Sequence, residues 1–138
     1  MKGPDIINHM YSKDLFSQWL GIEVVEQGDG FVSLRMQIRT EMLNGFNIVH
    51  GGIIYSLADS ALAFASNASG KHAVSIESSI SHFKTVQTGD MLFARASRIK
   101  EGQSISVFHV SVTKENNEQV ADFKGTVYRK DIYWEIPG

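Results

Sequence analysis

The segment Ile53–Ala65, IIYSLADSALAFA, decides how this chain folds. Ten of its thirteen residues are apolar, counting Tyr55, and they run almost all the way round a helix. A helix of that kind is buried on most sides. It is too short to cross a bilayer, which takes roughly 20 apolar residues. It therefore needs a wrapping partner, and its flanks supply strands.

On the N-terminal side, Phe31–Arg39 alternates: Val32, Leu34, Met36 and Ile38 face one way and Ser33, Arg35, Gln37 and Arg39 the other. Ile22–Gln27 reads as a shorter strand before the turn Gly28–Gly30, and Ile6–Leu20 as a helix stopped by Gly21. Its expected packing residues are Ile6, Met10, Leu15 and Trp19. On the C-terminal side, four strand-like segments follow: Ala73–Lys84, Met91–Lys100, Ser104–Lys114 and Gln119–Lys130. Thr88–Asp90, Glu101–Gln103 and Glu115–Glu118 separate them with turn chemistry. Short turns between consecutive strands favour antiparallel pairing. The last eight residues, DIYWEIPG, read as a tail in which Tyr133 and Trp134 pack on a neighbour or on the domain itself. The expected fold is α+β: one domain over residues 1–138, with an antiparallel sheet wrapped round one central helix, the hotdog arrangement.

The central helix is apolar except for a stripe. Gly52, Ser56, Asp59, Ser60, Ala63 and Asn67 share one face, so that face meets a partner helix, a ligand or water. Asp59 is the one charge, and an unpaired buried carboxylate is costly. Either it caps a loop or pairs with a base on a neighbouring strand, or it is a catalytic acid perturbed by burial. Ahead of the helix stands His50-Gly51-Gly52. N–H groups at a helix start have no intrahelical partner and suit a developing oxyanion. Yet Gly52 and Asp59 are seven residues apart, roughly 10.5 Å of helix, too far for one carbonyl to meet both. Two antiparallel helices across a twofold axis would bring one subunit's helix start to the other's Asp59. A dimer with shared sites is the expectation.

The run LNGFNIVHGGIIYSLADSALAFASNASG resembles the PaaI-type (phenylacetic acid degradation) branch of the hotdog-fold thioesterases. The shared pattern is Asn44, His50-Gly51-Gly52, Leu57-Ala58-Asp59, Asn67 and Gly70, and the likeness extends from about Met10 to Arg129. The resemblance implies hydrolysis of an acyl-coenzyme A thioester, often phenylacetyl or hydroxyphenylacetyl, by a homotetramer of two dimers. It implies Asp59 as general base or nucleophile and the Gly51 N–H as the group that polarises the carbonyl. Asn44, His50, Gly52 and Asn67 would shape and support the site, and Ser75 would orient water. Lys84, Gly89 and Asp90 would meet the coenzyme. Two positions depart from the family's habit: Asn47 where glycine is common, and Lys84-Thr85 in place of Arg-Pro.

Other chemistries find less support. His50 as a general base competes with a loop-fixing role. His9, His72, His82 and His109 lack metal-site spacing and read as surface or sheet residues, so neither metal nor cofactor is expected beyond the coenzyme of the substrate. The serines at 78, 79 and 81 lack a nucleophile elbow. A formal charge of −2 without a basic patch argues against nucleic acid. No cysteine, no secretory leader and no spanning segment fit a cytoplasmic protein with no membrane partner. Two readings compete with the hydrolase: a non-catalytic acyl-coenzyme A binding module and a hotdog 3-hydroxyacyl dehydratase.

Overall fold

In the computed structural model, which describes residues 2–136, the chain begins with α1 (Gly3–Lys13) and α2 (Leu15–Leu20). The expected single helix is broken at Asp14. That residue leaves helical geometry and caps α2, its Oδ1 accepting the Ser17 N–H at 2.9 Å. The break changes which residues pack. Ile6 and Ile7 are buried in α1 and Leu20 in α2, while Leu15 and Trp19 are exposed, contrary to the single-helix expectation. Gly21 closes α2 in the left-handed region at φ 76°.

The strands are β1 (Glu23–Gly28), β2 (Phe31–Gln37), β3 (Lys71–His82), β4 (Met91–Glu101), β5 (Ile105–Lys114) and β6 (Gln119–Tyr133). All pairings are antiparallel, in the order β1-β2-β4-β5-β6-β3. The expected tail begins as strand, since β6 runs on through Tyr133, and continues as irregular chain from Trp134; its last two residues, Pro137 and Gly138, lie outside the described residues.

The central helix, α3 (Gly51–Asn67), packs across β2, β3, β4, β5 and β6. Its Ile54, Leu57, Ala58, Ala61, Leu62 and Phe64 are buried, and on β2 the expected Val32, Leu34 and Met36 meet them. The opposite sheet face is polar: Ser33, Arg95, Ser111, Asp122 and Ser81 stand side by side across β2, β4, β5, β6 and β3. Burial on one face fixes the register, because a one-residue slip would turn these polar side chains into the core.

Two features of this packing position the site. The Gly52, Ser56, Asp59, Ser60 and Ala63 stripe of α3 is not buried by the sheet. And β3, twelve residues long, is an edge strand with Val74 and Ile76 exposed. No helix among the described residues is long and apolar enough to cross a membrane.

Gly125 on β6 shows how closely α3 lies on the sheet. A Cβ there would stand 2.5 Å from Leu62 Cδ2 and 3.1 Å from Phe123 Cε1. Leu62 is itself buried, so it has little room to yield. Gly125→Val should cost about 1–3 kcal/mol by overpacking, read as a lower denaturant midpoint at unchanged slope.

Candidate active site

The loop before α3 is built by Asn44. Its Oδ1 accepts the Phe46 N–H at 2.9 Å, and its own N–H donates to Ile48 O at 2.8 Å. Between them Asn47 sits at φ 61°, a left-handed conformation that asparagine tolerates, so the loop survives the exchange of glycine for asparagine. The His50 N–H donates to Met42 O, and the His50 side chain then caps α3. Its Nδ1 accepts the Gly52 N–H at 2.8 Å. A Cβ on Gly52 would stand 3.0 Å from that nitrogen, so glycine there makes room for the cap. This commitment of Nδ1 favours the loop-fixing role of His50 over the general base.

The cap leaves one donor over. The Gly51 N–H has no protein acceptor among the described residues. It opens onto a cavity of about 310 Å³ bordered by Asn44, Ile54, His82 and Lys84. His82, expected as a surface or sheet residue, is the exposed last residue of β3, and the fold also sets it against the helix start, its Nε2 3.3 Å from where a Gly51 Cβ would lie. The alternation of β3 held the only signal for this: Ser78, Ile80 and His82 are pointed to the same face, and the Tyr55 hydroxyl on α3 bonds Ser78 there.

Asp59 faces a different cavity, also about 310 Å³, shared with Ser66, His72, Ser75, Lys130 and Trp134. Among the described residues its carboxylate has neither a hydrogen-bond partner nor a base within 4.0 Å, so the capping and pairing roles are excluded there. Burial pushes its pKa above the usual aspartate range, and the nearby Asp14 pushes it further. Asp14 is fixed in place: it accepts the Ser17 hydroxyl, which also meets Ser60 Oγ at 2.8 Å. Ser60 thus turns to α2 of its own chain rather than to a partner, a contact that periodicity in α3 alone did not signal. Gly51 and Asp59 are eight residues apart, roughly 12 Å of helix, and in one chain they serve two separate cavities.

The sequence model of the Thioesterase superfamily matches residues 46–121, spanning the helix start, Asp59 and most of the sheet. The chain belongs to that family. A putative esterase of Archaeoglobus fulgidus is 38% identical over 88% of this chain and 79% of its own. The acyl-coenzyme A thioesterase PaaI of Escherichia coli is 33% identical over 87% of this chain and 86% of its own. The solved structure of the E. coli PaaI protein superposes with a TM-score of 0.93 over 95% of each chain, at 30% identity in that superposition. A Streptococcus mutans protein solved with acetyl-CoA bound matches at TM-score 0.77 and 28% identity, over 79% of this chain and 88% of its own. The hotdog fold and the PaaI-type branch follow, and with them the class of enzyme: a thioester hydrolase.

In this thioesterase the remaining sequence-derived residues divide. Ser75 faces the cavity of Asp59, and Lys84 borders that of Gly51 with its Nζ 3.9 Å from Glu118. Asn67 also borders the Asp59 cavity, but its carboxamide is engaged with Ala63 O, Ala73 O, the Ala73 N–H and Trp134 Nε1, which makes it a structural joint. Gly89 and Asp90 border neither cavity. They form a turn tied to Ile38 at the end of β2, with Asp90 3.5 Å from Lys114 Nζ. No group of three or more metal-binding side chains occurs among the described residues.

Two outcomes are expected. His50→Ala removes the α3 cap and should lower stability by about 0.5–2 kcal/mol, with His50→Asn restoring most of it, both read by chemical denaturation. For Asp59, the folded state holds its proton to higher pH than the unfolded chain does. Stability therefore falls as pH rises from the ordinary aspartate value of ~3.9 through the raised one. Asp59→Asn should raise the melting temperature at neutral pH, and that gain should vanish below about pH 4; thermal melts across pH read both.

Proposed function

We propose that the protein hydrolyses an acyl- or aryl-acyl-coenzyme A thioester to the free acid and coenzyme A, at sites each completed by two subunits. The observation that carries this reading is the division of one chain's machinery. Among the described residues, a helix-start N–H without a partner borders one cavity, and a carboxylate without a partner borders another. Each lacks what the other has. The E. coli relative acts on acyl-coenzyme A and the S. mutans structure holds acetyl-CoA, which supports the choice of thioester.

The unpaired edge of β3 and the uncovered stripe of α3 support the dimer. Pairing β3 with its twofold copy extends the sheet and sets two α3 helices antiparallel. Gly51 of one subunit then approaches Asp59 of the other, and two such dimers would form a tetramer. A cytoplasmic location suits a coenzyme A substrate.

In the reaction, the thioester carbonyl oxygen accepts the Gly51 N–H at the positive end of the α3 dipole. Asp59 takes a proton from a water held by Ser75, and the water oxygen bonds to the carbonyl carbon. The tetrahedral oxyanion collapses, the C–S bond breaks, and the coenzyme A thiolate leaves and takes the proton that Asp59 holds, which restores the carboxylate. If Asp59 attacks directly, the same N–H stabilises the same oxyanion, and water then cleaves the resulting anhydride. Asn44 holds the loop that aims Gly51, and Lys84 stands at the outer edge of that cavity as a point charge for a coenzyme phosphate.

Asp59→Asn should cut turnover by orders of magnitude with a much smaller loss of binding. Turnover within roughly threefold of wild type, about 0.65 kcal/mol on the barrier, would remove Asp59 from the chemistry. Sharing of sites is tested by a purified heterodimer of an Asp59→Asn subunit and a Gly51→Pro subunit. It keeps one of two symmetry-related sites intact and should recover roughly half of wild-type activity. No recovery contradicts shared sites. Following free thiol over an acyl-coenzyme A panel separates hydrolysis from mere binding, and loss of water from 3-hydroxyacyl substrates would indicate a dehydratase instead.

A further inference from the structure

At the Asn67 end of α3, the cavity of Asp59 is bordered by a residue from outside the core of the fold. Past the end of β6 the chain turns in and delivers Trp134. The residue is pinned at three points. Its N–H donates to Gly70 O at 2.8 Å, its Nε1 donates to Asn67 Oδ1 at 2.9 Å, and its ring lies 4.2 Å from that of His72, tilted by 32°. The joint that receives it is rigid, because the Asn67 amide is already spent on Ala63 O and Ala73 O.

Distance along α3 gives the cavity its length. From Asp59 the floor passes Leu62, Ala63 and Ser66 to Asn67, eight residues or roughly 12 Å, and ends at the indole. Ala63 and Ser66 are small and leave that path open. If the reacting carbonyl lies between Asp59 and the partner's Gly51, the coenzyme arm occupies the partner's cavity and the acyl group has this one to enter.

We propose that Trp134 is the end wall of the acyl pocket and sets the length of acyl group that the enzyme accepts. The assignment rests on the thioesterase reading above and deepens it. Aryl-acetyl and short- to medium-chain acyl groups fit between Asp59 and the indole, and long straight-chain acyl groups collide with it. Trp134 is a specificity-determining residue and takes no part in proton transfer.

The test compares wild type, Trp134→Ala and Trp134→Phe on phenylacetyl-, hexanoyl- and palmitoyl-coenzyme A. Removing the wall should raise the palmitoyl-to-hexanoyl ratio of kcat/KM at least about tenfold, while the phenylalanine variant, which keeps a ring without the bond to Asn67, should hold that ratio within roughly threefold of wild type. A ratio within about twofold of wild type in an active Trp134→Ala enzyme overturns the proposal. A second measurement leaves the wall in place, so it decides the matter if the alanine variant does not fold. In Trp19→Phe, Trp134 is the sole tryptophan, and its emission should change on binding the inert thioether S-octyl-coenzyme A but not on binding coenzyme A alone. Equal responses overturn the proposal. Failure of wild type to release thiol from any of the three substrates would instead overturn the thioesterase reading, and the emission of Trp134 would still report whether the wall meets the acyl chain.

Discussion

Eight residues of α-helix separate the Gly51 N–H from the Asp59 carboxyl, and the rest of the arrangement follows from that rigid spacing of roughly 12 Å. A helix cannot bend back to bring its own first turn against its third. In the proposed reaction, where both groups act on one carbonyl, each site borrows one of them from a second copy of the chain. The long unpaired edge of β3 and the narrow stripe of α3 are what a second copy needs to come close enough.

The same helix carries an electrostatic cost at its centre. Asp59 has no counter-charge within 4.0 Å among the described residues, is partly withdrawn from water, and has a second carboxylate nearby in Asp14. An acid held this way is raised in basicity, which suits the proton-accepting role proposed for it. It also destabilises the folded chain at neutral pH. The burial of Leu57, Ala58, Ala61 and Phe64 against the sheet keeps the helix in place despite that cost. The hydrogen bonds Asp14–Ser17–Ser60 keep the second carboxylate at a fixed position rather than letting it drift into solvent.

Much of this was legible before the fold was known, because periodicity reports faces. The all-round apolar α3 and the alternating β2 named the two layers, and the stripe on α3 named the face that the sheet leaves uncovered. What periodicity missed depends on contacts between elements. Asp14 looks like one more polar residue in a helix, yet its side chain breaks the helix by capping the next one, and so turns Leu15 and Trp19 outward. His82 carries no motif, and only the pairing of β3 with β6 sets it against Gly51. Asn67, expected to support the site, borders the Asp59 cavity, and its four hydrogen bonds, which tie α3 to Ala73 and Trp134, have no local sequence signal. Trp134 packs on the domain itself, one of the two placements expected for it, but nothing local to it announces the cavity that it borders.

The central claim concerns which subunit supplies which group. A crystal structure of the oligomer with a ketone analogue, in which a methylene replaces the thioester sulfur, tests it most directly. The account predicts the ketone oxygen about 2.7–3.1 Å from the Gly51 nitrogen of one subunit, and the Asp59 carboxylate of the other subunit, or a water it holds, roughly 3–3.5 Å from the carbonyl carbon. A ketone contacted by Gly51 and Asp59 of the same chain, or by neither, would contradict it.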